Sequence, residues 1–526
     1  MPTERSARVY WLLILATALI YLGVAGYLSR ALLTWDDEGA YLSLGRLAVL
    51  GKISLYQDDL TGQRMPLPFY VVGVSQVLFG RNLWAGRLVS AALGLGVLGL
   101  TIAVATRLQG GLAGILAGLL LATQGVIVGY YATATYHALT AAILMAAVLV
   151  LLKEDLPWRY ALGMGIASLL FVTRTNMFPV LPFFFFWALI GARSLAERLV
   201  VILVTAAPPS IFFLADTTHL KLLAHVPILE RLVAPLGYRS ILSFSAIQYA
   251  DLSHQLWAFV ILARRFESWT LAATGLLVAA LFLPRHEQTS TSSVGRKRSV
   301  LILGALFIWT LAWHFIIWRV NFRYAVAFFP SFAPLGAVLL AGGFAAQFQH
   351  ARLPQAGRIL LRTTLAVALV VSLVFVRHPL LPHPTPWPFH GDAVEGLNRA
   401  AVALGALVPA EERVFLFAQP TPAYLAGLNP PLQQVMSAGG TLAAATSDAR
   451  LVARSGAWGL VEIDRWLGRE VQYAVISPQL LAAFATIRPE GVTRIRELLR
   501  SRFTLIGSVG DSPDRAADVY RRVNGQ

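Results

Sequence analysis

The sequence predicts a polytopic α-helical membrane protein with about eleven transmembrane helices, interfacial helices and a C-terminal soluble α/β domain. Hydrophobic residues fill 57% of the 526 positions and charged residues only 13%, against about 25% charged in a soluble domain. The apolar residues are gathered in runs that lack a polar face at the helical period. Each run approaches the length that a helix needs to cross a bilayer. The composition of a soluble domain appears only after the proline-rich stretch 379–388.

The apolar runs also predict a topology. With the amino terminus inside, the arginine-rich short loops alternate onto the cytoplasmic side, as the positive-inside rule requires. The long loops 31–81 and 217–266, together with the chain after residue 377, then face outward. The predicted spans are 9–30, 82–105, 112–128, 132–152, 159–173, 176–192, 198–216, 267–283, 300–317, 324–345 and 361–377.

The net charge of +16 does not indicate a nucleic-acid partner. From His378 onward the chain holds fourteen arginines and thirteen acidic residues, so the excess lies in the loops between apolar runs. That distribution is typical of membrane orientation rather than of a phosphate-binding surface. The chain has no cysteine, which excludes disulfides and thiolate metal sites. Its arginine-over-lysine usage, 39 to 4, favours a GC-rich bacterial source.

Two interfacial helices are predicted in the first outer loop. Tyr41, Leu44, Leu47, Leu50 and Ile53 recur at helical steps after an acidic start, which gives an amphipathic helix. A second helix is predicted from Pro68 to Phe79. We therefore expect this loop to lie along the membrane surface.

The chain from 378 to 526 is predicted as a separate extracytoplasmic domain, against a transmembrane domain at 1–377. Segments 413–418, 471–476 and 503–508 read as strands, because β-branched and aromatic residues fill short runs. Segments 391–407 and 492–499 have helical patterns. This alternation predicts a small α/β fold.

The most informative polar segment is Thr34-Trp-Asp-Asp-Glu-Gly-Ala-Tyr41, just past the first span. Neighbouring carboxylates tend to raise one another's pKa, which suits a general base. On physics alone a solvated helix cap is the favoured interpretation, and nothing within the triplet overturns it. Asp36 and Asp37 are also the carboxylates on which a divalent cation would depend, and metal binding stays open.

Several segments, in order along the chain, resemble the C-type (GT-C) membrane glycosyltransferases. The likeness is to the branch of the protein O-mannosyltransferases and the lipid A aminoarabinose transferases. It covers about 1–345 as architecture, and 36–93 is its specific part. The segments are Asp37-Glu38-Gly-Ala-Tyr41, Gly62-Gln-Arg-Met-Pro-Leu-Pro-Phe-Tyr70, Leu78-Phe-Gly80 with Ala85-Gly-Arg-Leu-Val-Ser-Ala, and Arg323-Tyr324 with Pro330.

The resemblance implies inverting transfer of a monosaccharide from a polyprenyl-phosphate donor to a hydroxyl of a glycan, lipid or protein. It implies Asp37 as the base that takes the acceptor's proton, with Glu38 as the second candidate. Arg64 and Arg323 would bind the departing phosphate, since guanidinium groups pair with phosphate oxygens, and Tyr324 would donate a hydrogen bond to it. For Arg64 the role of an interfacial cation stays equally open. No cofactor is required by this chemistry. The site would face outward from the bacterial cytoplasmic membrane.

One stretch departs from the family pattern. An acidic residue is common in the outer loop between the third and fourth spans, whereas here the loop reads Tyr130-Tyr-Ala-Thr-Ala-Thr-Tyr-His137. His137 is a candidate contact for the acceptor or sugar, together with Tyr41. Arg174 is a third candidate, because a cation between apolar runs needs a partner or a cavity. For His137 a capped structural role stays open.

Two other functions stay open. A transporter or flippase of lipid-linked sugars would use the same donor, but transporters tend to show inverted repeats and charges at the membrane midplane. A scaffold built on the C-terminal domain is a third alternative. The polar residues of this chain are gathered at one face, which favours the enzyme.

Overall fold

The computed structural model describes residues 4–33, 36–54, 66–123, 125–174, 177, 180–215, 299, 301–306, 309–310, 392–436, 442–444, 452, 457–513 and 515–523. Helices fill the first part of the chain. A 3-10 turn follows the eighth helix. In chain order the described helices are α1 (Glu4–Ala31), α2 (Asp36–Val49), α3 (Pro66–Leu78), α4 (Leu83–Gln109), α5 (Gly111–Ala122), α6 (Gly125–Tyr131), α7 (His137–Leu152), α8 (Arg159–Ser168), α9 (Val180–Gly191) and α10 (Leu195–Ala215).

These helices follow the predicted spans closely where both can be compared. Within the described part of the chain, two helices are long and apolar enough to cross a membrane, over Ala7–Ala31 and Leu83–Gln109. The predicted run 112–128 is divided into α5 and α6. At the break the Thr123 hydroxyl donates to the Leu119 carbonyl at 2.8 Å, a bond that commonly bends helices. The total of about eleven spans stays a prediction, because 267–283, 324–345 and 361–377 lie outside the described residues.

Helices α2 and α3 confirm the two helices predicted in the first outer loop. They cross where Gly45 meets Gly73, and a Cβ on Gly73 would lie 2.2 Å from the Gly45 carbonyl oxygen. Glycine at both positions lets the two backbones touch, as small residues do between membrane helices. The structure buries α2 more completely than an amphipathic helix at an interface requires, since Ala40 and Leu42 are both fully buried. This burial arises because the C-terminal part of the chain packs on α2.

The C-terminal part is a four-stranded sheet with helices on both faces. Strands β1 (Val414–Phe417) and β2 (Tyr473–Ile476) are parallel, and β3 (Phe503–Val509) and β4 (Ala517–Arg522) complete an order β1-β2-β4-β3. The three predicted strands are thus confirmed, and β4 is an additional strand. The helices are α11 (Ala393–Leu407), α12 (Pro420–Leu425), α13 (Leu432–Met436), α14 (Leu460–Arg465), α15 (Pro478–Ile487) and α16 (Pro489–Arg502).

Side chains of β1 alternate between two cores. Phe415 and Phe417 face a cluster that contains Trp458 and Trp466, whereas Val414 and Leu416 face a cluster with α11. This period of two is that of a strand buried on both faces.

A further core joins the two parts of the protein. It contains Tyr41 and Leu44 of α2, Phe69 of α3, Leu397 of α11 and Tyr424 of α12. The C-terminal part is therefore packed on α2 and α3 through a shared apolar core. This packing covers Tyr41 and Leu44, which belong to the apolar face that the sequence pattern assigns to the membrane surface.

Candidate functional site

The predicted acidic pair lies at the first turn of α2. Asp37 is half-buried, whereas Glu38 is fully buried at 0% exposure. Carboxylates at this position are stabilised by the positive end of the helix dipole. The side chain of Asp36 lies outside the described residues.

Glu38 is held by Arg87 of α4. The Arg87 guanidinium donates to the two carboxylate oxygens at 2.8 and 2.6 Å, and Arg87 is also fully buried. The backbone N–H of Ala134 donates to Glu38 Oε1 at 2.7 Å. A buried ion pair is tolerated only when the remaining polar atoms are satisfied in this way.

Arg87 also binds the end of α1. Its guanidinium donates to the carbonyl of Ser29 and, at 2.9 Å, to that of Leu32. Carbonyls at a helix C-terminus lack partners within the helix, and a cation there is favourable. Arg87 and Glu38 thus connect four segments at one point, namely the end of α1, the start of α2, α4 and the α6–α7 loop.

Three predicted contact residues meet around Tyr136, in the α6–α7 loop. The rings of Tyr41 and His137 lie 6.2 and 4.0 Å from the Tyr136 ring. The Arg174 guanidinium lies over the same ring at 4.2 Å, a cation–π arrangement. Because Tyr136 follows Ala134 by two residues, this cluster adjoins Glu38.

The cluster is largely closed. Tyr41 and His137 are 3% and 1% exposed, and His137 also contacts the ring of Tyr130 at 4.6 Å. Arg174 is half-buried. The arrangement places covered aromatic rings and one half-buried cation next to the acidic pair, and Arg174 is the member most open to a sugar or to an anionic group.

The predicted phosphate-binding residues Arg64, Arg323 and Tyr324 lie outside the described residues. Sequence reasoning did not assign roles to Arg87 and Tyr136. For Arg87 a signal was available, since a charge within the apolar run of α4 is costly unless it is paired or functional. For Tyr136 no such signal exists, because a tyrosine near the end of an apolar run is ordinary.

Metal ligation was left open by the sequence. Among the residues that the structure describes, no group of three or more His, Asp or Glu side chains is placed to hold a metal ion. The Asp36 carboxylate is not among the described side chains.

No protein-family model matches the sequence, and no curated protein sequence matches it. Solved structures do match it along most of its length. ArnT from Cupriavidus metallidurans bound to undecaprenyl phosphate is similar with a TM-score of 0.59 at 17% identity, over 99% of both chains.

Two structures of an archaeal enzyme give a similar result. The apo oligosaccharyltransferase of Archaeoglobus fulgidus matches with a TM-score of 0.55 at 13% identity, over 93% of this chain and 72% of that one. The oligosaccharyltransferase AglB of the same organism, in complex with an inhibitory peptide and a dolichol-phosphate, matches with a TM-score of 0.54 at 11% identity, over 100% and 75%. These matches show that the chain has the GT-C fold, which confirms the predicted resemblance at the level of the fold.

Proposed function

We propose that the protein is an inverting glycosyltransferase that uses a polyprenyl-phosphate monosaccharide as donor. The acceptor is a hydroxyl of a glycan, a lipid or a protein at the outer face of the bacterial cytoplasmic membrane. The observation that carries this proposal is the half-buried Asp37 beside the buried Glu38–Arg87 pair, within the GT-C fold. The similar ArnT and AglB structures contain undecaprenyl phosphate and dolichol-phosphate, which supports a lipid-phosphate donor here.

In the proposed reaction Asp37 accepts the proton of the acceptor hydroxyl. The acceptor oxygen then forms a bond to the anomeric carbon, and the bond from that carbon to the lipid phosphate breaks with inversion. The electron pair leaves with the phosphate oxygen. The transfer requires no oxidant or reductant, and a divalent cation would be compatible with the leaving phosphate.

Glu38 has a different role in this proposal from that of Asp37. Both of its oxygens already accept hydrogen bonds from Arg87, and one accepts a third from Ala134. We therefore assign proton transfer to Asp37 and the positioning of α2 to Glu38. Because Asp37 is the neighbouring residue, a fixed Glu38 limits where the Asp37 carboxylate can lie.

The remaining residues divide between the donor and the acceptor. Arg64, Arg323 and Tyr324 are proposed to bind the phosphate, and Tyr41, His137 and Arg174 to contact the sugar or the acceptor. The domains are proposed as 1–377 for catalysis in the membrane and 378–526 for the extracytoplasmic α/β domain.

The test measures consumption of undecaprenyl phosphate that carries a radiolabelled pentose or hexose. Purified protein in detergent is mixed with glycans and lipids extracted from a bacterial envelope, and label that leaves the lipid donor is counted. We expect turnover by the wild type, and a loss of at least 100-fold in Asp37→Asn with unchanged donor binding, since a base acts only in the transition state. Asp464→Asn, at an exposed carboxylate of the C-terminal domain, is the matched control.

Two outcomes would overturn the proposal. Full turnover by Asp37→Asn would remove the assigned base. Movement of intact labelled donor across the bilayer of proteoliposomes, without transfer to any acceptor, would favour the transporter instead.

A further inference from the structure

Two helices of the C-terminal domain lie directly on the acidic helix. Gly39 follows Glu38 in α2, and a Cβ on Gly39 would lie 2.7 Å from Pro420 Cγ and 2.7 Å from the Thr421 backbone nitrogen. Real Cβ atoms do not approach that closely, so the contact requires glycine. The first turn of α12 is therefore in contact with Gly39, two positions after the proposed base Asp37.

The contact continues along α2 as an apolar core. Leu42 and Leu44 of α2 share a cluster with Leu397, Tyr424 and Val435, which belong to α11, α12 and α13. Leu42, Leu44 and Leu397 are fully buried. Interiors this closely packed transmit a displacement instead of absorbing it.

A buried hydrogen bond fixes the register of this contact. The Tyr424 hydroxyl donates to Gln76 Oε1 of α3 at 3.1 Å. Gln76 is fully buried, and its side chain also exchanges two bonds of 3.0 Å with the backbone of Asn82. Burial raises the pKa of Tyr424, so the phenol stays a neutral donor over the physiological range.

The rim of the interface carries an ion pair. Arg81 and Glu411 are 2.6 Å apart, and the Asn429 side chain donates to the second Glu411 oxygen at 2.9 Å. An exposed pair contributes little free energy. It does specify one orientation of the two parts.

We propose, on the basis of the function proposed above, that the C-terminal domain is a fixed brace for α2, with Pro420 and Thr421 as positioning residues for Asp37. Arg87 holds Glu38 from the α4 side, while Pro420 and Thr421 press on Gly39 from the C-terminal domain. The two contacts fall on adjacent residues, so together they set the position of the first turn of α2. A displacement of about 1 Å at a reacting group can cost 100-fold in rate, which is why such a brace matters for turnover. The domain remains docked throughout the catalytic cycle.

The first experiment adds a methyl group at the contact. Gly39→Ala should lower kcat at least tenfold, shift the acid limb of the kcat–pH profile and leave the donor KM within twofold. Gly99→Ala is the control, because a Cβ there meets open space. A merely structural effect would lower the folded yield and scale the rate equally at every pH. Wild-type kcat with an unchanged pH profile in Gly39→Ala would overturn the proposal.

The second experiment uses the absence of cysteine in the sequence. The double variant Arg81→Cys with Glu411→Cys has only these two thiols, and a cleavable bis-maleimide joins them across the rim. A fixed brace predicts rapid bridging and turnover within twofold of the unbridged double variant. Turnover that stops on bridging and returns on cleavage would show that the domain moves as a lid, and the brace would be wrong.

A wild-type protein that transfers no sugar would refute the proposed function without deciding on the brace. In that case amide hydrogen exchange over residues 39–48 tests the brace without a transfer assay. Exchange should become at least tenfold faster in Gly39→Ala than in Gly99→Ala if α12 holds α2. Equal exchange in the two variants would contradict the brace independently of any activity.

Discussion

The guanidinium of Arg87 and the carboxylate of Glu38 form a two-point ion pair, at 2.8 and 2.6 Å, and both side chains are 0% exposed. Removing one partner of such a pair leaves the other charge buried without compensation, which costs about 3–5 kcal/mol. The pair also carries the connection between α1, α2 and α4. Its loss should therefore be felt in stability as well as in activity.

Arg87→Ala is expected to lower the free energy of unfolding by about 3–5 kcal/mol. Arg107→Ala is the control on the same helix, because Arg107 pairs with Asp155 where both are exposed, at 37% and 76%, and exposed pairs contribute about 0–1 kcal/mol. Denaturant unfolding of the detergent-purified proteins measures both. Equal, small losses in the two variants would show that the buried pair does not stabilise the fold.

Glu38→Gln is expected to lower the unfolding midpoint and to reduce the transfer rate less than Asp37→Asn does. The amide keeps the shape of the side chain but loses the charge opposite Arg87, and a hydrogen bond to a charged group contributes about 1.5–3 kcal/mol. Asp37→Asn, at a half-buried position, should leave the unfolding midpoint unchanged and lose turnover. The two variants are compared by thermal unfolding and by transfer rate. The reverse pattern would assign the base to Glu38.

Much of the fold could be predicted because its signals are local. The apolar run of α1 and the acidic start of α2 are both visible within a few residues, as are the short hydrophobic runs of β1 and β2. Strand β4 was missed because Asp518, Arg521 and Arg522 interrupt its apolar pattern, and only its pairing with β2 and β3 reveals it.

The site was harder to predict, because its contacts join distant parts of the chain. Arg87 lies 49 positions from Glu38, and no spacing rule connects them. Gly39 reads as an ordinary helix residue until Pro420 is seen against it. Tyr136 contacts Tyr41, His137 and Arg174 only because the fold brings α2, α7 and the chain before α9 together.

Acid should destabilise the C-terminal domain through one charge cluster. Arg399 donates to Asp392 and to Asp511, each at 2.6 Å, and each hydrogen bond is the main cause that lowers the pKa of the carboxyl that accepts it. A folded-state pKa below the unfolded value gives stability that is present above pH of about 4 and is lost as the pH falls through the folded values.

In Arg399→Gln the unfolding midpoint should therefore fall less steeply than in the wild type between about pH 5 and pH 2. Because both carboxylates are more than a third exposed, at 43% and 42%, the difference should be modest and should shrink in high salt. Unfolding midpoints across that pH range are compared with those of Arg469→Gln, at an exposed arginine. Parallel curves for the two variants would show that Arg399 does not cause this acid sensitivity, since Arg515 also pairs with both carboxylates.

The predicted topology is tested with reporter fusions. A reporter that requires export should be active when fused after residue 420, and a cytoplasmic reporter should be active when fused near residue 292. The positive-inside rule assigns the basic loop near 292 to the cytoplasm. Three spans are predicted between these two positions, so if both fusions report the same compartment, the number of spans there is not odd and the predicted topology is wrong.

The last prediction concerns the phosphate, which Arg64 and Arg323 are proposed to bind. They are some 260 positions apart in the sequence, so only a folded site brings both to the donor. Each replacement by Ala should weaken binding of undecaprenyl phosphate by about 1.5–3 kcal/mol, the contribution of a hydrogen bond to a charged group. Arg→Lys should recover only part of the loss, since an ammonium group cannot make the paired contact.

Two arginines that hold one phosphate should not act independently. Once the first contact is lost the phosphate is less fixed, so the double Ala variant should lose less than the sum of the single losses. Arg198→Ala is a suitable control, because Arg198 lies near the start of α10, on the side predicted to be cytoplasmic. Binding is measured directly on detergent-purified protein with undecaprenyl phosphate as the probe. Additive losses would mean two separate contacts, and unchanged binding in both single variants would make these arginines interfacial anchors and remove the phosphate site from the proposed mechanism.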